Sequence, residues 1–310
     1  MAQISLKDIN EAALSPEKMI AEAEADYEKK VREVAERVYR SEEVRLLLIA
    51  GPSGSGKTTT ANLIADSLRA MGEEARVVSL DDFYRDCDDP AYPKQENGER
   101  DYECPEALNL PELSLTLERI AAGEDYEIPK YDFKVAKRVS TAKMPPIGNG
   151  CVIIEGLHAL NPKIAESLPK KSVLKLFVSV STNIDHEGER LISGRKIRFV
   201  RRLVRDSIYR AATAERTLAM WQGVLAAEDI YLYPYKHLAD IAFDTFHTFE
   251  LGVMRGFFDG LISEELAARE PYAATVENAV LLSRAIDISL VPETSLIREF
   301  IPGGIYDSLY

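Results

Sequence analysis

The chain has 310 residues, 46% of them hydrophobic, which is ample for the core of one large α/β domain or of a domain with appended segments. Its 38 basic and 51 acidic side chains leave a net charge of −13, which argues against general affinity for nucleic acid or anionic membrane, so any anionic ligand must meet a local basic patch. No run approaches roughly 18 apolar residues, the N-terminus is acidic and helical in pattern rather than a secretory signal, and Cys87, Cys104 and Cys151 are odd in number without metal-ligand spacing, so reduced thiols and a cytoplasmic location are expected.

From Ser15 to Arg40 the pattern is helical, with Ile20, Tyr27, Val31, Val34 and Val38 forming an apolar stripe and Ser15-Pro16-Glu17 as its start signal. Alternating strands and helices follow. Strands are expected at Leu46–Ala50, Arg76–Leu80, Val152–Ile154, Val173–Val180 and Ile241–Phe243, with helices near 57–70, 113–122, 162–168, 195–226 and 248–267. Such alternation implies a mainly parallel sheet covered on both faces, with ligands beyond the carboxyl ends of its strands. Residues 84–111 and 124–150, rich in Pro, Gly, Asp and Tyr, read as long ordered loops of the kind that often carry function.

Gly51-Pro52-Ser53-Gly54-Ser55-Gly56-Lys57-Thr58 spells GxxxxGK[ST] between a strand and a helix. Its glycines let backbone N–H groups turn onto a phosphate, the helix start adds a positive dipole end, Lys57 reaches the outer phosphates and Thr58 offers a hydroxyl to Mg²⁺. A nucleoside triphosphate is the expected ligand. Asp81 and Asp82 follow the second strand, where a carboxylate can accept a proton from an attacking hydroxyl, hold a water of the Mg²⁺ shell, or simply cap a turn. Glu155 ends a third strand, a position suited to indirect Mg²⁺ coordination or to a loop-facing carboxylate. Asp101-Tyr102-Glu103-Cys104-Pro105-Glu106-Ala107 gathers acids and an aromatic, fit for a sugar diol and a stacked ring. The basic patch lies between Arg190 and Arg210, where Arg195, Arg198, Arg202 and Arg205 share one helix face and Ile197, Val200, Val204 and Ile208 another, with Asp206 the only acid between them. This stripe reads as a lid over triphosphate, against the alternatives of a solvated basic face or an RNA-binding stripe.

Taken together, GPSGSGKTT at 51–59, SLDDFYR at 79–85, DYECPEAL at 101–108, PKYDF at 129–133 with Arg138, VIIEGLHALNP at 152–162 and RRLVRD at 201–206 resemble the uridine kinase and phosphoribulokinase group, over about residues 45–255 and most closely its longer bacterial nucleoside kinases. The resemblance implies a P-loop α/β sheet sandwiched by helices, with a helical lid and N- and C-terminal extensions. It implies ATP and Mg²⁺ as cofactors, with Gly51, Ser53, Gly54, Ser55, Gly56, Lys57, Thr58 and Thr59 at the nucleotide and Thr58 and Glu155 at the metal. Asp81 becomes the catalytic base, supported by Lys57, Arg202 and Arg205, and Tyr84, Tyr102, Glu103, Tyr131 and Arg138 join Asp81 around the acceptor. Three positions depart from the pattern: Glu103 stands for an aspartate, Cys104 for a histidine, and Ala136 for the histidine that reads the pyrimidine.

The expectation is therefore a kinase for the 5′-hydroxyl of a ribonucleoside, uridine or cytidine first, with no nucleic-acid or membrane partner. Another nucleoside, a sugar phosphate, or a non-catalytic ATP-binding regulatory role are the rivals; the acidic 101–108 loop disfavours the sugar phosphate. The expected division is an N-terminal helical extension at 1–43, a core at 44–260 with its lid near 187–228, and an extension at 261–310 packed on the core. Both extensions are plausible subunit contacts, which leaves a homo-oligomer open.

Overall fold

Strands that are apolar without alternation must be covered on both faces, and here helices supply the cover. The computed structural model of the protein describes residues 2–95 and 98–309. Its central sheet is built from β2 (Leu46–Ala50), β3 (Ala75–Ser79), β6 (Cys151–Glu155), β7 (Val173–Ser179) and β10 (Ile241–Asp244), all parallel, in the order β10-β7-β2-β6-β3. A small sheet pairs β1 (Gln3–Ser5) with β8 (Asn183–His186) and β9 (Glu189–Ile192), and β4 (Tyr126–Asp132) with β5 (Lys137–Met144) forms a separate hairpin.

Successive residues of β2 point to opposite faces, and each face has its own core. Leu47 and Ile49 pack with α2 (Pro16–Tyr39), α3 (Lys57–Ala70) and α6 (Gly194–Tyr209), whereas Leu46 and Leu48 pack toward α4 (Leu110–Ala122) and α5 (Pro162–Ala165). The remaining helices are α1 (Leu6–Ala12), α7 (Ala214–Tyr231), α8 (Glu250–Met254), α9 (Glu264–Arg269) and α10 (Pro271–Leu282). Helix α2 buries the stripe read from its sequence, with Ile20, Tyr27, Val31, Val34 and Val38 all in the core.

Several expected elements are corrected. The helix expected at 195–226 is two helices: α6 stops at Tyr209, Ala211 takes a left-handed φ of 48°, and Thr213 accepts from the Arg216 N–H to start α7. No Gly or Pro marks this break, so periodicity ran through it. The helix expected at 248–267 breaks between α8 and α9, around Gly260 and the cap Ser263. Helix 162–168 shrinks to α5. Residues 124–150 are largely hairpin rather than loop, with β4 and β5 paired antiparallel; β5 reads as loop because it is mostly exposed and shows no apolar alternation. Leu80 leaves the second strand for a 3₁₀ turn, Leu80–Phe83, whose start is capped by Ser79 Oγ accepting from the Asp81 N–H at 3.3 Å.

One polar group is buried in the α2 stripe. Glu24 bonds Ser295 Oγ at 2.5 Å and faces the His247 imidazole at 3.9 Å, and burial raises its carboxyl from 4.5 to about 7, while burial keeps His247 neutral by lowering it to about 3. Because the folded-state value of Glu24 lies above the unfolded one, its contribution to stability is complete below about 4.5 and is lost as pH rises through about 7. Glu24→Gln should therefore stabilise the protein by up to about 3 kcal/mol at pH 8 and by about a quarter of that at pH 5, a difference that urea unfolding at the two pH values would measure.

Candidate active site

The glycine loop leaves β2 at Gly51 and enters α3 at Lys57. Gly54 and Gly56 take left-handed φ values of 72° and 84°, and a Cβ on Gly54 would stand 2.9 Å from the Arg198 carbonyl oxygen, so glycine there answers both a turn and a close approach. The loop's outer carbonyls are held from α6. Arg198 donates to Ser53 O at 2.7 Å and forms a two-armed pair with Glu228 at 2.8 Å, while Glu228 also accepts the Ser53 N–H at 2.9 Å. Arg201 donates to Gly54 O at 3.2 Å and pairs with Glu250 at 2.6 Å, and Thr245 Oγ1 donates to Ser55 O at 2.7 Å.

The arginine stripe thus differs from its reading as a run facing one acid. Arg198 and Arg201 are fully buried and ion-paired with Glu228 and Glu250 from other helices, and exposed Arg195 pairs with Asp229. Arg202 keeps a hand on the loop, donating to Ser53 Oγ at 3.2 Å while bonded to Asp206. Arg205 lies 3.6 Å from Asp206 and 3.8 Å from Glu299, and its Nε is buried without a hydrogen-bond partner among the described residues.

Three strand ends converge beside the loop. Ile49, Glu155 and Ser79 are aligned across β2, β6 and β3, which brings Glu155 Oε1 to 3.4 Å from Thr58 Oγ1. Burial raises the Glu155 carboxyl to about 7, partly opposed by Lys57 and augmented by Asp81. Two oxygen donors at the mouth of the loop form a set that suits Mg²⁺. The adjacent acids Asp81 and Asp82 separate: Asp82 is tied to the hairpin through the Tyr131 N–H at 3.3 Å and Lys130 at 3.1 Å, while the Asp81 side chain keeps solvent access and has no hydrogen-bond partner among the described residues. Protein atoms crowding Asp81 at the cleft floor still raise its pKa, with Lys57 and Arg210 pulling the other way.

Around Asp81 the expected acceptor residues gather. Tyr84 contacts the rings of Tyr131 and Phe133 at 5.8 and 5.7 Å and donates its hydroxyl to Tyr102 O at 2.9 Å. Burial raises Glu103, with Arg202 lowering and Asp81 raising it, so these three side chains share one field. Arg138 is the exception, its guanidinium being engaged by Glu112 of α4. Ala136 sits in the hairpin turn at φ 53°, its carbonyl accepting from the Cys87 N–H at 3.0 Å.

Four residues at the site were not singled out. Glu228 and Glu299 lie far along the chain from their partners, so no local pattern exposes them. Arg210 appeared only as part of the basic run, yet acts electrostatically on Asp81. His158 stands within the VIIEGLHALNP segment; it is buried, its Nδ1 lacks a partner among the described residues, its ring lies 5.9 Å from Tyr231, and burial lowers it to about 4.

The profile of the Phosphoribulokinase / Uridine kinase family matches residues 46–251. The chain is similar to a uridine kinase from Halobacterium salinarum, 28% identical over 195 residues that span 62% of this chain and 76% of that protein. A uridine kinase from Shewanella sp. (strain ANA-3) is 30% identical over 206 residues, 65% of this chain and 87% of its own. Among solved structures, one described as a possible uridine kinase from Bacillus stearothermophilus aligns with a TM-score of 0.48 at 17% identity, covering 71% of this chain and all of its own.

The buried Arg198–Glu228 pair should be hard to break from one side. Arg198→Met leaves an uncompensated buried carboxylate and an untethered Ser53 carbonyl, so a loss of about 3–5 kcal/mol is expected in chemical denaturation.

Proposed function

Starting from the fact that the chain belongs to the phosphoribulokinase / uridine kinase family, and is therefore a P-loop phosphotransferase, we propose that it transfers the γ-phosphoryl group of ATP to the 5′-hydroxyl of a ribonucleoside, with uridine and cytidine the first candidates. The observation that carries this reading is Asp81: a carboxylate without a hydrogen-bonded partner among the described residues, beside Lys57 of the glycine loop and the Tyr84, Tyr131 and Phe133 ring cluster. A group that is to accept a proton needs such a free lone pair, and Asp82, already occupied, does not offer one.

In this mechanism Tyr84, Tyr131 and Tyr102 supply rings against the base, Glu103 takes the ribose hydroxyls, and Asp81 accepts the proton of the attacking hydroxyl. Arg138, paired with Glu112, shapes the hairpin side of the pocket. Gly51 to Thr59 cradle the phosphates, and Lys57, Arg202 and Arg205 offset charge on the transferring group. Mg²⁺, held through Thr58 and Glu155, supplies further charge neutralisation when bound. Raised carboxyl pKa values at Glu155 and Asp81 fit a site whose acids await cationic company.

Residues 44–260 would form the catalytic core, with the lid near 187–228, and 1–43 and 261–310 the extensions. No helix among the described residues is long and apolar enough to cross a membrane, and we propose that the enzyme works in the cytoplasm. An unphosphorylated acceptor is favoured over a phosphorylated sugar because Asp81, Glu103 and Asp101 lie close enough to act on one another and would repel a second phosphate.

ADP release from Mg·ATP against ribonucleosides, deoxyribonucleosides and pentose phosphates tests the assignment. Uridine or cytidine should stimulate it, and Asp81→Asn should lower turnover by about 10²–10⁴ while ATP affinity is kept. Stimulation by a different acceptor would replace the substrate, and undiminished turnover in Asp81→Asn would remove Asp81 from its role.

A further inference from the structure

Beyond the matched residues 46–251, the chain returns to the glycine loop. The 3₁₀ turn Leu296–Glu299 sits against the first turn of α3, with Leu296, Ile297, Phe300 and Ile301 fully buried. Leu296 fills the space above Gly56, where an added Cβ would lie 2.5 Å from Leu296 Cδ1. The segment is fastened by Ser295 to Glu24 and by Tyr306 to Asp66 of α3. At its centre, Glu299 Oε2 accepts from Thr59 Oγ1 at 2.9 Å and from the Thr59 N–H at 3.3 Å, and Glu299 Oε1 is 3.8 Å from Arg205.

Helix α3 begins after a glycine, so its N-cap residue has no side chain to accept the third N–H. Glu299 provides that acceptor from 240 residues away. The arrangement is stabilising for the helix, since a carboxylate meets its positive end. It is also a conflict. If Thr59 and Arg205 meet nucleotide phosphate, the same donor and the same guanidinium are already answered by an anion that repels the phosphate chain.

We propose that Glu299 is a positioning residue that sets nucleotide affinity: its carboxylate holds Thr59 and Arg205 in place, weakens phosphate binding, and yields Thr59 when a phosphate oxygen arrives. This rests on the nucleotide reading of the loop given above. Among the described residues the contacts of Glu299 are with Thr59 and Arg205 and not with Asp81, Tyr84, Tyr102, Glu103 or Tyr131, so its effect falls on the nucleotide side of the reaction. The C-terminal segment thereby lowers the residence of nucleotide on a loop otherwise surrounded by arginines.

The test is calorimetric titration of the full chain with ATP in the absence of Mg²⁺, for wild type, Glu299→Gln and Glu299→Asp, together with thermal unfolding and the KM for Mg·ATP. Glutamine preserves an acceptor for Thr59 but removes the charge. Glu299→Gln should bind ATP about tenfold more tightly and lower KM for ATP correspondingly, while its thermal stability falls; Glu299→Asp, which keeps the charge, should return affinity toward the wild-type value. A cap with only a structural role would lower stability without tightening ATP. Wild-type or weaker affinity in Glu299→Gln, with the wild type binding ATP, overturns this inference alone. No ATP binding by the wild type overturns the nucleotide reading and this inference with it.

Discussion

The architecture of the site depends on two guanidinium groups that have no contact with water. Arg198 and Arg201 leave adjacent turns of α6 and hold the carbonyls of Ser53 and Gly54. Isolated charges in such surroundings would cost several kcal/mol, and close ion pairs with further hydrogen bonds offset the loss of hydration. Glu228 from α7 and Glu250 from α8 provide those pairs, which locks three helices to one loop. A loop whose outward carbonyls are fixed in this way presents its inward N–H groups without needing a ligand to order them.

Charge is distributed around that frame with little excess. A protein of net charge −13 has to receive a polyanion, and it does so with Lys57, Arg202, Arg205 and Arg210 set against Asp81, Glu103, Glu155 and Glu299. Crowding of these acids shows in their chemistry: burial raises Asp81, Glu103 and Glu155, and each of them feels at least one of its acidic neighbours. Arginines that would otherwise form a uniformly attractive stripe are largely matched by carboxylates brought from distant parts of the chain. Attraction for phosphate is therefore local, confined to the mouth of the loop.

Much of this was legible in order along the chain. All five strands of the central sheet were read to within a residue or two, because short apolar runs between turn signals have few other uses. The loop, Asp81 and Glu155 were legible because each is a local pattern of residue types at a strand end. The hairpin was not, since β5 is exposed and pairs with β4, and it is β4 that rests on the Leu80–Phe83 turn. The break between α6 and α7 escaped because alanine, not glycine, occupies the left-handed position.

Sequence by itself determined which residue types stand at the ends of the strands, and so the chemistry on offer: a phosphate cradle, a lysine, a hydroxyl and acids. Those features depend on spacing of a few residues, which the covalent chain fixes. Tertiary structure decided which of those groups are free. It tied Asp82 to the hairpin and left Asp81 open, consumed Arg198 and Arg201 in buried pairs, engaged Arg138 with Glu112, and set Glu299 on Thr59. Each outcome depends on a partner between 26 and 240 residues away in sequence, and the strength of a charge or hydrogen bond is set by what surrounds it once water has been removed.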